Sequence, residues 1–323
     1  MSATVPKFAW LNGQLVAWED CVLHARTQGA FWGANVFEGV RAYCCGSDRR
    51  LTLFRLDDHL DRLWRSMRSL HLSPPYARED VVRACAELLG ANDYREDVHL
   101  VVVAYFGMGA NFDPLCHTDD TGLHITACPI RRPPAYDRGA AVCVSSWRRI
   151  SDDTMPPRIK VGANYHNSRL AYQEAVRNGY DNALILNRGG TLAEGPAACV
   201  GLIRDRALVS PPATSGALEG ITLATIAELA RDELGLRLER REVDRTELYA
   251  AEEAFYCGTV AEIQPIVSVD RVPIGDGTPG PLTRTLQGLY ERVVRAQPDE
   301  RRGWTTHTAS DAAGAASEEA SES

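Results

Sequence analysis

Two of the 35 basic residues in this chain are lysines, Lys7 and Lys160, and all the others are arginines. A lysine amine can form a Schiff base with a carbonyl and can give up its proton, and a guanidinium does neither readily. Lys160, inside Pro156-Pro157-Arg158-Ile159-Lys160-Val161-Gly162-Ala163-Asn164-Tyr165, is therefore the candidate for lysine-specific chemistry, with a plain surface lysine as the alternative. Other residues could bind an anion. Arg62 sits in a helical pattern and could grip an anion through its two-pronged fork, or simply be solvated like Arg65 and Arg68. Gly220-Ile221-Thr222 opens a helix, whose first N–H groups and positive dipole end attract phosphate. An ordinary capping threonine would look the same at Thr222. Glu194 precedes Gly195-Pro196 and reads either as a placed carboxylate or as a turn acid. Gly258-Thr259-Val260 follows a strand pattern, and Tyr165 is either a site hydroxyl or a core tyrosine.

The elements that must position these residues follow from the apolar periodicity. Phe8–Leu11 and Gln14–Trp18 flank Asn12-Gly13 and predict a hairpin. Strands are expected at Val36–Tyr43, Leu51–Phe54, Leu100–Phe106 and Leu123–Ala127. Leu56, Leu60, Leu63, Trp64, Met67 and Leu70 recur at helical spacing and predict a helix over 56–71, with a second over about 78–91. This half reads as α+β with a mostly antiparallel sheet. Pro129 to Arg138, with three prolines and three arginines, reads as a linker. Beyond it, strands are expected at 141–146, 182–186, near 199–203 and 207–209, near 239–243 and at 254–257. Helices are expected at about 166–178, 221–234 and 281–297. From about Thr305 the composition turns to Ala, Ser and Glu, which bury too little apolar surface to order a segment. The chain thus divides into a small domain (1–128), an interdomain loop (129–138), a large domain (139–304) and a disordered tail (305–323).

Composition bounds the partners. The chain has 323 residues, 45% hydrophobic and 24% charged, with a net charge of −8, an ordinary globular mix whose sign disfavours nucleic acid. No apolar run approaches the ~20 residues of a membrane span, and Met1–Trp10 does not have the pattern of a signal peptide. Nine scattered cysteines, with no C-x-x-C pair, make neither a disulfide framework nor a metal site; Cys116-His117 alone is not one. A cytoplasmic protein without a metal is expected.

Val36-Phe37-Glu38-Gly39-Val40-Arg41-Ala42-Tyr43, Phe54-Arg55-Leu56-Asp57-Asp58-His59-Leu60-Asp61-Arg62-Leu63, the segment Ser146–Tyr165, Ala193-Glu194-Gly195, Leu218-Glu219-Gly220-Ile221-Thr222 and Gly258-Thr259-Val260-Ala261-Glu262-Ile263 occur in one order. Together they resemble the branched-chain aminotransferases, a class IV, fold type IV pyridoxal-phosphate family. The resemblance spans about residues 8 to 300. It implies a two-domain fold, a small α+β domain beside a larger β-barrel-like domain with helices, an α/β (α+β) class. It implies pyridoxal 5'-phosphate bound at Arg62, Lys160, Tyr165, Glu194, Leu218, Ile221, Thr222 and Thr259. Lys160 would carry the cofactor and relay the proton, Glu194 would face the pyridine nitrogen, and Tyr165 the phenolic oxygen. Phe37, Arg41, His99, Thr259 and Val260 would lie on the substrate side, with Phe37 and Arg41 equally readable as strand residues packing the small domain. Amino acids and 2-oxo acids would be the substrates. Met108-Gly109-Ala110 resembles a loop that reaches the neighbouring subunit's site, implying at least a homodimer.

Three departures bear on the substrate. A Tyr-x-Arg-Pro stretch of the family, whose arginine can receive an acidic side chain, is replaced by Asp97-Val98-His99-Leu100. Pro196-Ala197-Ala198-Cys199 follows Glu-Gly where asparagine is common, and Pro129 leads into Ile130-Arg131-Arg132 instead of a tryptophan. An intact cofactor shell with an altered substrate shell predicts a specialised aminotransferase. His99 and the Arg131-Arg132 pair are candidates for the altered recognition, against a buried histidine and a solvated basic loop. Rival readings are a D-amino acid aminotransferase or aminodeoxychorismate-lyase-like enzyme on the same fold, and a non-catalytic cofactor-binding scaffold.

Overall fold

The computed structural model describes residues 5–46, 50–110, 115, 118–295 and 303–307. In chain order, β1 (Phe8–Leu11), β2 (Gln14–Ala17), α1 (Gln28–Phe31), β3 (Asn35–Cys45), β4 (Arg50–Phe54), α2 (Leu56–Ser69), α3 (Arg78–Asn92), β5 (Val98–Phe106) and β6 (Thr121–Pro129) build the first half. After α4 (Ala135–Arg138), the second half has β7 (Ala140–Arg148), α5 (Tyr165–Arg177), β8 (Asn182–Leu186), β9 (Leu192–Glu194), β10 (Cys199–Arg204) and β11 (Ala207–Ser210). It continues through α6 (Ile221–Leu234), β12 (Arg237–Arg240), β13 (Glu253–Gly258), β14 (Glu262–Val269), β15 (Val272–Pro273), α7 (Pro281–Arg295) and β16 (Thr305–His307).

The first sheet runs β16-β4-β3-β5-β6-β1-β2, antiparallel throughout. Its helices form for the reason the spacing gave. On α2, Leu56, Leu60, Leu63 and Met67 are buried, and they join Val36, Val40, Ala42 and the buried face of α3 in one core. Side chains alternate along β3 with period two. Val36, Glu38 and Val40 lie toward α2, where Glu38 meets His59 and Arg62. Phe37, Arg41 and Tyr43 lie toward the second sheet, where they meet Lys160, Val260 and Glu262.

The second sheet runs β12-β11-β10-β13-β14-β7-β8-β9, with β15 on β14. Two of its parallel pairs, β7/β8 and β11/β12, are joined by α5 and α6, since a parallel connection needs a crossover. The sheet curls until its ends meet: Leu192 N–H donates to the Val243 carbonyl at 2.8 Å, and Thr191 bridges Asp244. That is the barrel-like second unit expected from the resemblance.

The structure departs from the sequence reading in several places. β14 was not foreseen because Pro265 argues against a central strand. The proline is tolerated because the β7 ladder begins one residue later, at Ile266. β12 lies at Arg237–Arg240, earlier than 239–243, where it pairs with β11. The interdomain loop carries α4, and its Arg132 is not a freely solvated cation: it pairs with Glu262 and Glu291 and lies 4.5 Å over the Tyr136 ring. Arg131 is 75% exposed and only 3.7 Å from Glu96, so it fits the solvated alternative. The tail is ordered at its start, Thr305–His307 pairing with β4 through backbone hydrogen bonds that need no apolar side chain. Residues 308–323, and Cys116-His117, lie outside the described residues.

Trp304 enters a core shared by both halves, with Tyr43 and Phe54 from the first and Leu286, Tyr290 and Val294 from α7. Its ring meets Phe54 edge-on at 6.1 Å and lies under the Arg55 guanidinium at 5.0 Å. Trp304→Ala is expected to cost about 3 kcal/mol of stability, read as a lowered midpoint of denaturant unfolding with unchanged secondary structure before the transition.

Candidate active site

A cavity of about 320 Å³ opens where the two sheets face each other, within the usual size of a small-molecule site. Lys160 lines it, on a segment tied to the first half by backbone: Phe37 N–H donates to the Lys160 carbonyl at 3.0 Å, and Val36 bridges Val161. The Lys160 amine donates to the Tyr165 hydroxyl at 2.6 Å and lies 4.7 Å over the Phe37 ring. Tyr165 is held there as the first residue of α5, its ring 4.9 Å from that of Phe37.

Arg62 reaches the cavity from α2. Its Nε and Nη2 donate to the two carboxylate oxygens of Glu38 at 2.6 and 2.8 Å, and Nη1 donates to the Glu219 carbonyl at 2.6 Å. A guanidinium has five N–H donors, so two remain for an anion. Glu38 is completely buried. Burial alone would raise its carboxyl, but Arg62, with His59 at 2.8 Å, overcomes this and lowers it from 4.5 to about 2. Burial holds His59 itself below its ordinary value, against the pull of Glu38.

Glu194 ends β9 inside the cavity. Its carboxylate faces Arg149 Nη2 at 2.6 Å and accepts from the Leu218 N–H at 3.0 Å. Burial raises the Glu194 carboxyl, and Arg149 pulls against it. Gly220 caps α6, so the N-terminus of this 14-residue helix, with Ile221 and buried Thr222, faces the cavity. A side chain at 220 would collide with the Cys199 sulfur at 2.5 Å, so glycine is what lets the helix start so close to β10. Thr259 and Val260, in the turn between β13 and β14, complete the wall.

Of the residues singled out from the sequence, Phe37, Arg62, His99, Lys160, Tyr165, Glu194, Leu218, Ile221, Thr222, Thr259 and Val260 all line this cavity. Arg41 does not. It is 2% exposed, 3.3 Å from Asp97 and 3.5 Å from Glu262, and its Nη1 reaches only the back of the turn, the Val260 carbonyl, at 3.5 Å. Its expected place on the substrate side is therefore corrected: half-buried Asp97 and buried Glu262 draw it behind the wall. Arg149 and Glu38 were not singled out. The signal for Glu38 was available, since a carboxylate in the middle of an apolar strand must find a cation. No three His, Cys, Asp or Glu converge as metal ligands among the described residues.

A reactive amine, an anion cradle of arginine and helix N-terminus, and a buried carboxylate around one cavity fit pyridoxal 5'-phosphate by the chemistry of the donors. The fold and this set define a fold type IV pyridoxal-phosphate enzyme. The family profile described as amino-transferase class IV matches residues 35–269, and the chain belongs to that family. It is 34% identical over 301 residues to a probable branched-chain-amino-acid aminotransferase of Aquifex aeolicus, covering 93% of this chain and 96% of that one. Among solved structures it is similar to the branched-chain amino acid aminotransferase of Thermobaculum terrenum in its pyridoxal-phosphate form. That match has a TM-score of 0.87 and 42% identity, with 94% of this chain and 99% of the other covered. The Escherichia coli branched-chain amino acid aminotransferase matches with a TM-score of 0.89 and 30% identity, over 94% and 100% of the two chains. The protein is a pyridoxal-phosphate-dependent aminotransferase resembling the branched-chain enzymes.

Because the folded Glu38 titrates lower than an unfolded glutamate, its contribution to stability is present above pH 4.5 and is lost as pH falls toward about 2. Glu38→Gln is expected to remove that part of the acid dependence. It should also lower stability at pH 7 by about 3 kcal/mol, through the unpaired Arg62. Urea midpoints across this pH range check both.

Proposed function

We propose that the chain moves an amino group between an amino acid and a 2-oxo acid in two half-reactions at the Lys160 cavity. It does so as a cytoplasmic homodimer whose substrate preference departs from that of general leucine, isoleucine and valine enzymes. The observation that carries the reading is the Lys160 amine, bonded to Tyr165 at 2.6 Å within a cavity walled by Arg62 and Glu194.

Pyridoxal phosphate, when bound, supplies a sink for the electron pair left on the substrate α-carbon. The chain does the rest. The two uncommitted N–H groups of Arg62, the first N–H groups of α6 and the Thr222 and Thr259 hydroxyls would hold its phosphate. Glu194 would meet the pyridine nitrogen and favour its protonated form, with Arg149 and the Leu218 N–H fixing the carboxylate. Tyr165 would hold the phenolic oxygen, and Leu218 and Ile221, which line the cavity, would pack on the ring. Lys160 would take the proton from the substrate α-carbon and deliver it to the carbon that keeps the nitrogen, and Phe37 keeps that amine among apolar atoms.

The homodimer is supported by an apolar surface beside the loop Met108-Gly109-Ala110. Phe31 and Trp32 are 61% and 56% exposed, and their segment is tied to the loop by Gln28 N–H donating to the Gly107 carbonyl. A cytoplasmic location is supported by the described cysteines, which are all free. No helix among the described residues is long and apolar enough to cross a membrane. The altered preference is supported by the absence of tyrosine and arginine at Asp97 and His99.

The purified protein is expected to show a visible absorption band that Lys160→Ala lacks, while Lys160→Ala retains the unfolding midpoint within the error of a surface substitution. No band after incubation with pyridoxal phosphate would sink the reading, and leucine with 2-oxoglutarate as the best pair by a wide margin would sink the altered preference. Phe31→Glu is expected to convert a dimer to a monomer in sedimentation analysis.

A further inference from the structure

The anion cradle of this cavity is built from two separate helices. α2 brings Arg62, and α6 brings its first turn, with Gly220, Ile221 and Thr222 on the wall. They meet where Arg62 Nη1 donates to the Glu219 carbonyl at 2.6 Å. Hydrogen bonds weaken steeply as they lengthen or bend, so an anion held from both sides depends on the gap between the helices. Packing alone does not fix that gap. Gly220 and Ile221 line the Lys160 cavity on one side and a second cavity, of about 360 Å³, on the other. A turn with open space before and behind it lacks the close contacts that hold an interior rigid, and other tethers must place it.

Arg55 supplies one. It is the residue before α2, with a left-handed backbone at φ 56, and it is 9% exposed. Its Nε and Nη2 donate to the two carboxylate oxygens of Asp58 at 2.6 and 3.0 Å, which fixes the plane of the guanidinium against the first turn of α2. Nη1 donates across the gap to the Thr225 hydroxyl of α6 at 3.2 Å, with Glu228 of the same helix at 3.9 Å. Thr225 is completely buried, and its hydroxyl donates to the Ile221 carbonyl at 3.1 Å, so the tether reaches the first turn itself. Trp304, just before β16, holds Arg55 from the outer side. Its carbonyl accepts from the Arg55 N–H at 2.7 Å, and its ring lies 5.0 Å from the guanidinium. Arg55 itself stands outside the Lys160 cavity.

We propose that Arg55 is a positioning residue for the phosphate of the cofactor: it ties α2 to α6, so that Arg62 and the first turn of α6 turn their N–H groups to one anion, and Trp304 keeps Arg55 in place. The proposal rests on the pyridoxal-phosphate reading for its ligand. It adds that retention of the cofactor is governed by a link the ligand never touches, one that runs to the last strand of the chain.

The test compares two aldehydes on the full-length apoprotein, pyridoxal 5'-phosphate and pyridoxal, which lacks the phosphate, each titrated through the visible band formed at Lys160. Arg55→Gln is expected to weaken pyridoxal 5'-phosphate about ten-fold or more, the worth of one hydrogen bond to a charged group, and to leave pyridoxal within about two-fold. Inorganic phosphate, read by the rise it gives to the unfolding midpoint of the apoprotein, is expected to lose affinity by a similar factor. Arg55→Lys keeps a cation beside Trp304 and should recover part of the loss. Arg78→Gln removes ion pairs to Asp57 and Asp61 of α2 without touching α6, and should leave both affinities unchanged. An equal loss for the two aldehydes would overturn the proposal, since a merely structural role does not distinguish them. Unchanged affinity for pyridoxal 5'-phosphate in folded Arg55→Gln would overturn it too. If that variant does not fold, Thr225→Val cuts the same link from the α6 side and is read in the same way. A wild-type protein that forms no band with either aldehyde would sink the cofactor reading itself, a result separate from any difference between variants.

Discussion

Charge buried between the two sheets has to be neutralised group by group, and the meeting of the two halves depends on it. Glu262 is completely buried at the start of β14, with a left-handed backbone at φ 51. It accepts from the Tyr43 hydroxyl at 2.9 Å, faces Arg41 at 3.5 Å and pairs with Arg132. Those partners come from β3 and from the connection between β6 and α4, so one carboxylate gathers three parts of the chain. Losing any of them would leave charge stranded in the interior, at far greater expense than a surface pair. Arg295 adds the last helix, binding Asp97 at 2.5 and 2.8 Å.

The turn that carries Thr259 and Val260 is a by-product of that neutralisation. Arg41 cannot reach the cavity because Glu262 and Asp97 hold it, yet in that position its guanidinium supports the Val260 carbonyl from behind. Glu38 and Arg62 repeat the pattern at the other end of the wall, and Arg149 and Glu194 at the floor. Arg62 and Glu194 are thus each fixed by an oppositely charged neighbour, Glu38 and Arg149, which is how a site keeps its geometry before anything binds.

Much of the fold was legible because it is local. The spacing of Leu56, Leu60, Leu63 and Met67, the Asn12-Gly13 turn and the apolar run along β5 are short-range patterns, and the corresponding elements lie within a few residues of expectation. β14 was hidden because Pro265 breaks the strand pattern and its acceptance depends on where β7 joins, which no local pattern records. The cavity residues were legible through motifs, whereas the ion pairs were not: Arg41 and Glu262 are 221 positions apart, and Arg62 meets the Glu219 carbonyl across 157. The placement of Arg41 failed for that reason, since its type suited a substrate and only its distant partners disqualified it.

β16 adds the outermost strand of the first sheet after the whole of the second sheet has been laid down, Thr306 pairing with Leu53. A ribosome delivers the chain from the N-terminus, so during synthesis β4 stands as an open edge, able to recruit a strand from another chain. The molecule closes that edge with its own late residues, and Trp304 seals the seam beside them. The first domain to emerge is therefore the last to be finished, and premature release of the nascent chain would leave a sticky, incomplete sheet.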